Sequence, residues 1–232
     1  MGRPPGPVRW ERDTKPDGGA RRIARLRSAD DDRYRRLVGA LAPRIERSLG
    51  AGVVANRVDP DMRLRPWRTA RRIWRRAGRD AVARLEDVVV VTSDVRRCYP
   101  SIGERSFTAL GIDAELTAFL LALWDLGVVG LPIGPDPSAV LANGVLAIAD
   151  AEAAAAGCPP LRWVDDVVFV AAGRRSAQGA FDAWRRGLAD LGMEANDGKT
   201  RWAIGRADAL ALLGRSGCSA PARRRRGIIA PS

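Results

Sequence analysis

The 232-residue sequence contains no histidine. The chain therefore has no Ser-His-Asp triad, no imidazole general base and no histidine ligand for zinc. Cysteine is scarce as well: Cys98, Cys158 and Cys218 are the only three, and their odd number and wide spacing argue against a zinc ribbon or a disulfide framework. Carboxylates are thus the main candidates for metal binding, and a reducing compartment suits the cysteines.

Lysine is almost absent, since Lys15 and Lys199 are the only two. The formal net charge of +12 therefore comes almost entirely from arginine. A strongly basic chain favours a polyanionic partner, and the guanidinium group binds phosphate through paired hydrogen bonds. A GC-rich genome is an equally good explanation of this composition, so charge alone assigns no function.

Long apolar runs are missing too. No stretch approaches the roughly 18 apolar residues that a membrane span requires. The first 20 residues carry charges and prolines and lack the apolar core of a secretory leader. The sequence thus predicts a cytoplasmic protein that makes no contact with a membrane.

Composition divides the chain into four segments. Residues 1–27 are rich in proline, glycine and arginine, which predicts a flexible basic N-terminus. Residues 28–85 show helical periodicity, residues 86–215 mix apolar runs with amphipathic stretches, and residues 216–232 form a basic C-terminal tail. A chain of this length can bury one core or two small subdomains.

The second segment contains two predicted helices, one from Ser28 to about Leu49 and one that follows Pro66. The apolar side of the second helix predicts that Trp67 and Trp74 lie in the core. Its opposite side carries six arginines: Arg68, Arg71, Arg72, Arg75, Arg76 and Arg79. This side is either an ordinary solvated face or a surface that contacts phosphates.

The third segment alternates strands and helices. Short apolar runs predict strands at 88–94, 161–164 and 167–171. Three helices are predicted at about 114–126, 139–156 and 176–191. This order predicts the α+β class, with an antiparallel sheet and helices packed on one face of it.

Three aspartates lie where these strands end. Asp94 closes the first strand, and Asp165 and Asp166 occupy the bend between the other two. Aspartate is a common turn former, which is the ordinary explanation of such a pair. If the strands are neighbours, however, the three carboxylates converge, and their repulsion is costly unless cations lie among them. Oxygen ligands favour Mg²⁺ or Mn²⁺, and two such ions about 4 Å apart catalyse nucleotidyl transfer.

Around these aspartates the chain resembles the palm of the bacterial reverse transcriptase family. Residues 93–102, SDVRRCYPSI, resemble the first palm motif. Residues 163–166, WVDD, resemble the aromatic-x-Asp-Asp hairpin, with tryptophan in place of the usual tyrosine. The resemblance implies that Asp94, Asp165 and Asp166 are catalytic, with Asp166 often a weaker participant. It further implies two Mg²⁺ ions, or Mn²⁺, bound by four residues: Asp94, Val95, Asp165 and Asp166.

Two further motifs resemble nucleotide-binding parts of the same family. Tyr99 falls at the steric-gate position, where an aromatic ring selects deoxynucleotides, although an aromatic residue packed in the core would explain it too. Residues 131–146 resemble the second motif, in which a glycine loop approaches the incoming nucleotide. The resemblance implies that Gly134, Ser138 and Asn143 are nucleotide-binding.

Residues 192–200 resemble the motif whose lysine lies near the triphosphate. Lys199 could protonate the leaving pyrophosphate, whereas arginine cannot lose its proton. Residues 212–215 resemble the turn that holds the primer strand, which implies nucleic-acid contacts at Leu213 and Gly214. The second helix adds three candidate nucleic-acid contacts: Arg68, Arg72 and Arg75.

The resemblance covers about residues 86–215, the palm. Residues 28–85 would form an abbreviated helical fingers region, and no thumb is evident after Arg215. The implied activity is RNA-directed DNA polymerisation, which transfers nucleotides from dNTPs to the 3′-hydroxyl of a DNA primer on an RNA template. Similar short bacterial members suggest antiphage defence as the setting. A partner protein or a second copy would supply the missing thumb.

Two alternatives stay open. A catalytically silent palm could act as a nucleic-acid-binding or scaffold subunit. Untemplated or protein-primed DNA synthesis would use a hydroxyl group of the protein itself, and Tyr34 and Tyr99 are the only tyrosines.

Overall fold

The computed structural model describes residues 3–14 and 18–215, so the predicted basic tail at 216–232 lies outside the described residues. The strands are β1 (Arg9–Thr14), β2 (Ala20–Arg25), β3 (Val88–Asp94), β4 (Leu161–Trp163), β5 (Asp166–Ala172) and β6 (Arg201–Ile204). The helices are α1 (Ser28–Ser48), α2 (Trp67–Ala83), α3 (Cys98–Ser101), α4 (Glu104–Leu110), α5 (Ala114–Asp125), α6 (Asp136–Ala155), α7 (Arg174–Asp190) and α8 (Arg206–Arg215). A 3-10 turn covers Asp197–Lys199.

The N-terminal segment forms a hairpin, so the prediction of a flexible lead-in over residues 1–27 was wrong. β1 and β2 pair antiparallel along their full length. Ile23 and Ala24 of β2 are buried, and the Ala24 N–H donates to the Ile133 carbonyl at 2.7 Å. The local sequence does not show this docking partner, because it lies more than 100 positions away along the chain.

The central sheet has the strand order β4-β5-β3-β6, and every neighbouring pair is antiparallel. The predicted strands β3, β4 and β5 are confirmed. The sequence does not predict β6, because this four-residue strand buries only Ala203. All seven residues of β3 are buried, which places this strand in the centre of the fold.

Helices cover both faces of this sheet, so the prediction of one covered face was wrong. On one face, Val89 and Val91 of β3 join an apolar cluster with residues of α1, α6 and α7. On the other face, Val88 and Val90 pack with residues of α2 and α8. The order of elements along the chain does not reveal which face α2 covers, because α2 precedes every strand of the sheet and only long-range packing places it.

The two long helices of residues 28–85 pack directly on elements of residues 86–215. α1 packs along α6, and α2 packs against β4 and β5. Trp74 is buried as predicted, whereas Trp67 is 43% exposed, contrary to the prediction that it lies in the core. Trp67 is the first residue of α2, and the buried stripe of this helix begins one turn later, at Ala70.

Among the residues that the structure describes, α6 is the one helix long and apolar enough to cross a membrane. About 72% of its apolar window is buried inside the fold, as in the core helix of a globular protein.

Candidate active site

The three aspartates meet at one end of the central sheet, where β3 ends and β5 begins. Asp94 is the register partner of Asp166, the first residue of β5. Asp165 lies in the turn before it, and its carbonyl oxygen accepts a hydrogen bond from the Val95 N–H at 3.3 Å. Directly opposed residues of antiparallel strands have Cβ atoms about 4.5–5.5 Å apart. The carboxylates therefore converge as the sequence predicts.

Asp94 has one oxygen paired and one unpaired. It is 5% exposed, and its Oδ2 accepts a hydrogen bond from Lys199 Nζ at 2.5 Å. Its Oδ1 is buried without a hydrogen-bond partner among the described residues. An unsatisfied buried carboxylate oxygen is costly, so this atom marks a position where an added cation would stabilise the protein.

Hydrogen bonds of the residues around Lys199 hold it beside the aspartates. The Asn196 N–H donates to the Asp94 carbonyl at 2.8 Å, and the hydroxyl groups of Ser93 and Thr200 share a hydrogen bond of 2.9 Å. The hydrogen bond to Asp94 raises the pKa of Lys199, and the charges of Asp165 and Asp166 act in the same direction. Lys199 is therefore a cation at neutral pH.

The pKa of Asp166 is raised from 3.8 to about 7. Burial is the main cause, followed by repulsion from Asp165 and Asp94, while Lys199 lowers the pKa. One ammonium group therefore does not balance the three carboxylates, so the site attracts additional positive charge.

The turn between β4 and β5 has an unusual backbone conformation. Val164 has φ +57°, a left-handed value that is rare for a β-branched residue. Its carbonyl oxygen accepts a hydrogen bond from Arg162 Nη1 at 2.9 Å. Strained residues of this kind persist where surrounding structure holds them and are frequent at functional sites, so Arg162 is part of what fixes the turn that carries Asp165.

Arg162 is a site residue that the sequence analysis missed. It is fully buried, and its Nε donates to Asp150 Oδ2 at 2.7 Å. Nη1 also donates to the side-chain oxygen of Asn143 at 2.8 Å, and Nη2 donates to the Asn143 carbonyl at 3.2 Å. An arginine inside a three-residue strand with apolar neighbours is the signal that could have identified this network.

Tyr99 lies in α3, five residues after Asp94, and is partly buried. Burial raises the pKa of its hydroxyl group, and the charge of Asp165 contributes. Gly130 allows the following loop to approach this helix, because a Cβ at Gly130 would lie 2.2 Å from the Tyr99 carbonyl oxygen. Tyr99 is thus near the aspartates, and its role as a steric gate stays a prediction.

Gly134 packs against the N-terminal hairpin. It has φ +129°, and an added Cβ would lie 2.8 Å from Ile23 Cγ2 and 3.0 Å from the Ala24 carbonyl oxygen. This close approach accounts for the glycine without a nucleotide, so its nucleotide contact stays a prediction.

Ser138 and Asn143 are buried and have partners within the protein. The hydroxyl groups of Ser138 and Tyr34 share a hydrogen bond of 3.0 Å. The side-chain amide of Asn143 donates to the carbonyl oxygens of Ala55 and Asn56, at 2.9 and 3.1 Å. These bonds show that both residues hold α6 in place, while nucleotide binding by either one is untested.

The predicted primer-holding turn at 212–215 is instead the last turn of α8. The predicted contact of Leu213 with nucleic acid stays untested, but this side chain is only 7% exposed and packs against Gly78 of α2. The reason is helical spacing: Ala209 and Leu213 are four residues apart and face the sheet together. Gly214 is exposed, and its contact with nucleic acid remains a prediction.

The side chains on the exposed side of α2 form a shallow, open trough. It is lined by Trp67, Arg68, Arg71, Arg72, Arg75, Arg76, Arg79 and Asp80. Arg76 pairs with Asp80 at 3.6 Å. Six guanidinium groups beside one carboxylate give the trough a positive potential, which fits the predicted phosphate contacts of Arg68, Arg72 and Arg75.

The donor set around Asp94 partly fits a divalent metal. The side chains offer carboxylate oxygens alone, which suits Mg²⁺ or Mn²⁺, and Asp94 Oδ1 lacks a partner. Over residues 3–14 and 18–215, however, no group of three or more Asp, Glu or Cys side chains has the arrangement of a finished metal site. Lys199 occupies the other carboxylate oxygen of Asp94, Oδ2.

Comparison with known proteins identifies the fold and not a family. No family model matches the sequence, and no curated protein matches it either. Among solved structures, the chain is similar to apo telomerase from Candida tropicalis truncated from its C-terminal domain, with 13% identity and a TM-score of 0.51. The match covers 86% of this chain and 50% of that one, so this chain spans about half of the telomerase structure. The protein thus has a polymerase-like α+β fold.

Proposed function

We propose that this protein is a nucleotidyltransferase that acts as an RNA-directed DNA polymerase. One observation carries the proposal: on a polymerase-like fold, Asp94 and Asp166 are register partners, and Asp165 lies in the adjoining turn. Its substrates would be a dNTP and the 3′-hydroxyl of a DNA primer on an RNA template. We further propose that a partner protein or a second copy of the chain supplies the thumb.

The residues divide into three roles in this proposal. Asp94, Asp165 and Asp166 would hold two Mg²⁺ ions with help from the Val95 carbonyl, and the ions would supply charge stabilisation for the in-line transfer. Lys199 keeps a proton at neutral pH and gives it to the leaving pyrophosphate. The ring of Tyr99 excludes the 2′-hydroxyl of a ribonucleotide.

The test is primer extension with purified full-length chain, Mg²⁺, labelled dNTPs and a DNA-primed RNA. The Asp165→Asn variant keeps the size of the side chain but removes a charge, and we expect incorporation to fall at least about a hundredfold, as when one electrostatic contact to a transition state is removed. Asp125→Asn, an exposed position at the end of α5, is the matched control and should keep full activity. Incorporation that survives Asp165→Asn contradicts the metal assignment.

Metal binding can be measured without activity. Mg²⁺ at about 100 times its dissociation constant should stabilise the folded chain by about 2.7 kcal/mol. The Asp94→Asn variant should lose this stabilisation, as measured by thermal unfolding with and without EDTA.

A second candidate is a silent palm that serves as a nucleic-acid-binding scaffold, and the Lys199–Asp94 ion pair favours it. This pair satisfies one carboxylate oxygen without any metal. A scaffold would show no incorporation even with neighbouring gene products added, and Mg²⁺ would not stabilise it.

A further inference from the structure

α2 lies over the sheet face that carries the aspartates. Trp163 is the register partner of Asp166, so the two side chains project from the same face of the sheet. Trp163 packs against Trp74 of α2, with ring centroids 6.4 Å apart. The basic side of α2 is therefore the outer surface of the layer that covers this face.

The N-terminal end of α2 points toward the aspartates. Gly78 packs against Leu161, at the start of β4, whereas Trp74 packs against Trp163, at its end beside Asp166. In the same direction, Trp67 lies seven residues beyond Trp74, which is about 10 Å along a helix. The N-terminal end of α2 thus extends about 10 Å past the level of Trp163 and Asp166, on the side of the strand ends that carry the aspartates.

Trp67 gives this end an aromatic surface. It is 43% exposed, and the guanidinium carbon of Arg68 lies 5.6 Å from its ring centroid. Arg68, Arg72, Arg75 and Arg79 follow along the helix, and all four are exposed. A basic track combined with an exposed aromatic ring binds single strands, since arginines contact phosphates while a base stacks on the ring. A duplex offers no free base for this stacking.

We propose that α2 binds single-stranded nucleic acid. The side chains of four arginines contact successive phosphates: Arg68, Arg72, Arg75 and Arg79. Trp67 stacks on a base on the side of the strand ends that carry the aspartates. This proposal deepens the polymerase function and rests on it for its biological role. Binding itself can be measured without synthesis, so the two proposals fail independently.

The experiment measures fluorescence anisotropy of a short labelled single strand and of the matching duplex, with the full chain in EDTA and without dNTPs. Arg72→Glu with Arg75→Glu should weaken single-strand binding more than about tenfold, and the slope of log affinity against log salt should fall by about 0.7 per lost phosphate contact. Trp67→Ala should weaken single-strand binding about tenfold and leave both the salt slope and duplex binding unchanged. Trp67→Phe should restore most of the loss.

The matched control reverses two exposed arginines on the opposite face of the sheet, Arg175→Glu with Arg186→Glu in α7, and should weaken binding much less. Equal losses in both double variants, or normal binding by Trp67→Ala, would overturn the proposal. Tighter binding of the duplex would overturn it as well. Thermal unfolding verifies that the variants fold. If the double variant Arg72→Glu with Arg75→Glu does not fold, the double variant Arg72→Gln with Arg75→Gln replaces it.

Discussion

At Asp166, folding favours a protonated carboxyl group, whereas metal binding requires a carboxylate. The pKa of Asp166 is raised from 3.8 to about 7, mainly by burial. The folded protein therefore binds this proton more tightly than the unfolded chain does. The contribution of Asp166 to stability is complete below about pH 4 and is lost as the pH rises to about 7.

We therefore predict that the contribution of Asp166 to the stability of the metal-free protein falls between pH 4 and pH 7, by a few kcal/mol at about 1.4 kcal/mol per pKa unit. Asp166→Asn removes this loss, so the variant should be more stable than the wild type at about pH 8 and similar to it near pH 4. Urea unfolding in EDTA measures both proteins, and Asp125→Asn is the control. An unchanged pH profile in Asp166→Asn would show that burial does not protonate this group.

Arg162 is the residue on which the acidic turn depends for its position. Its guanidinium group joins β4 to α6 through Asp150 and Asn143, and burial raises the pKa of Asp150 while Arg162 lowers it. Removing one partner of a buried pair leaves the other charge uncompensated.

We predict that Arg162→Met lowers the free energy of unfolding by about 3–5 kcal/mol. Arg76→Met is the matched control, because it breaks an ion pair with 84% and 48% exposed side chains and should cost less than about 1 kcal/mol. Urea unfolding at neutral pH compares the two. Similar costs for both variants would mean that the buried network contributes little to stability.

At the scale of elements, the N-terminal hairpin depends on one glycine in the loop before α6. Ile23 and the Ala24 carbonyl lie within 3.0 Å of the position that a Cβ at Gly134 would take. Gly127 has a similar positive φ of +84°, but nothing lies within 4 Å of its Cβ position. Comparing the alanine variants of the two glycines therefore distinguishes the effect of backbone strain from that of a steric clash with the hairpin.

We predict that Gly134→Ala displaces the hairpin and increases trypsin cleavage at Arg21, Arg22 and Arg25. Gly127→Ala should cost only the left-handed strain of about 1–2 kcal/mol and leave the hairpin protected. Limited proteolysis with mass spectrometry reports the cleavage sites. Equal protection in both variants would contradict the docking role of Gly134.

At the scale of the whole molecule, two apolar clusters on opposite faces share the strands β3 and β5. Trp184 belongs to one cluster, and Trp74 and Trp163 belong to the other. Because neither cluster persists without the shared strands, we predict one cooperative unfolding transition. Far-UV circular dichroism and tryptophan fluorescence should give coincident urea curves, and a biphasic fluorescence curve would show that the faces unfold separately.

The sequence alone located the residues of the candidate site that have local signals. The buried run before Asp94 and the turn at Asp165 and Asp166 were visible as apolar stretches that end in acids, and the structure brings them together. Lys199 was visible because an isolated lysine stands in an arginine-rich chain. The spacing of apolar residues and the composition of turns depend on residues that are neighbours in the chain, so both can be recognised from the sequence alone.

Tertiary structure alone decided which surfaces these elements cover. It exposed Trp67, buried Leu213, docked residues 9–25 as a hairpin and placed α2 and α8 on the second face of the sheet. It also buried Arg162 against Asp150. Each of these outcomes depends on contacts between residues far apart in the chain, and the free energy of such contacts exists only when the folded chain brings the partners together.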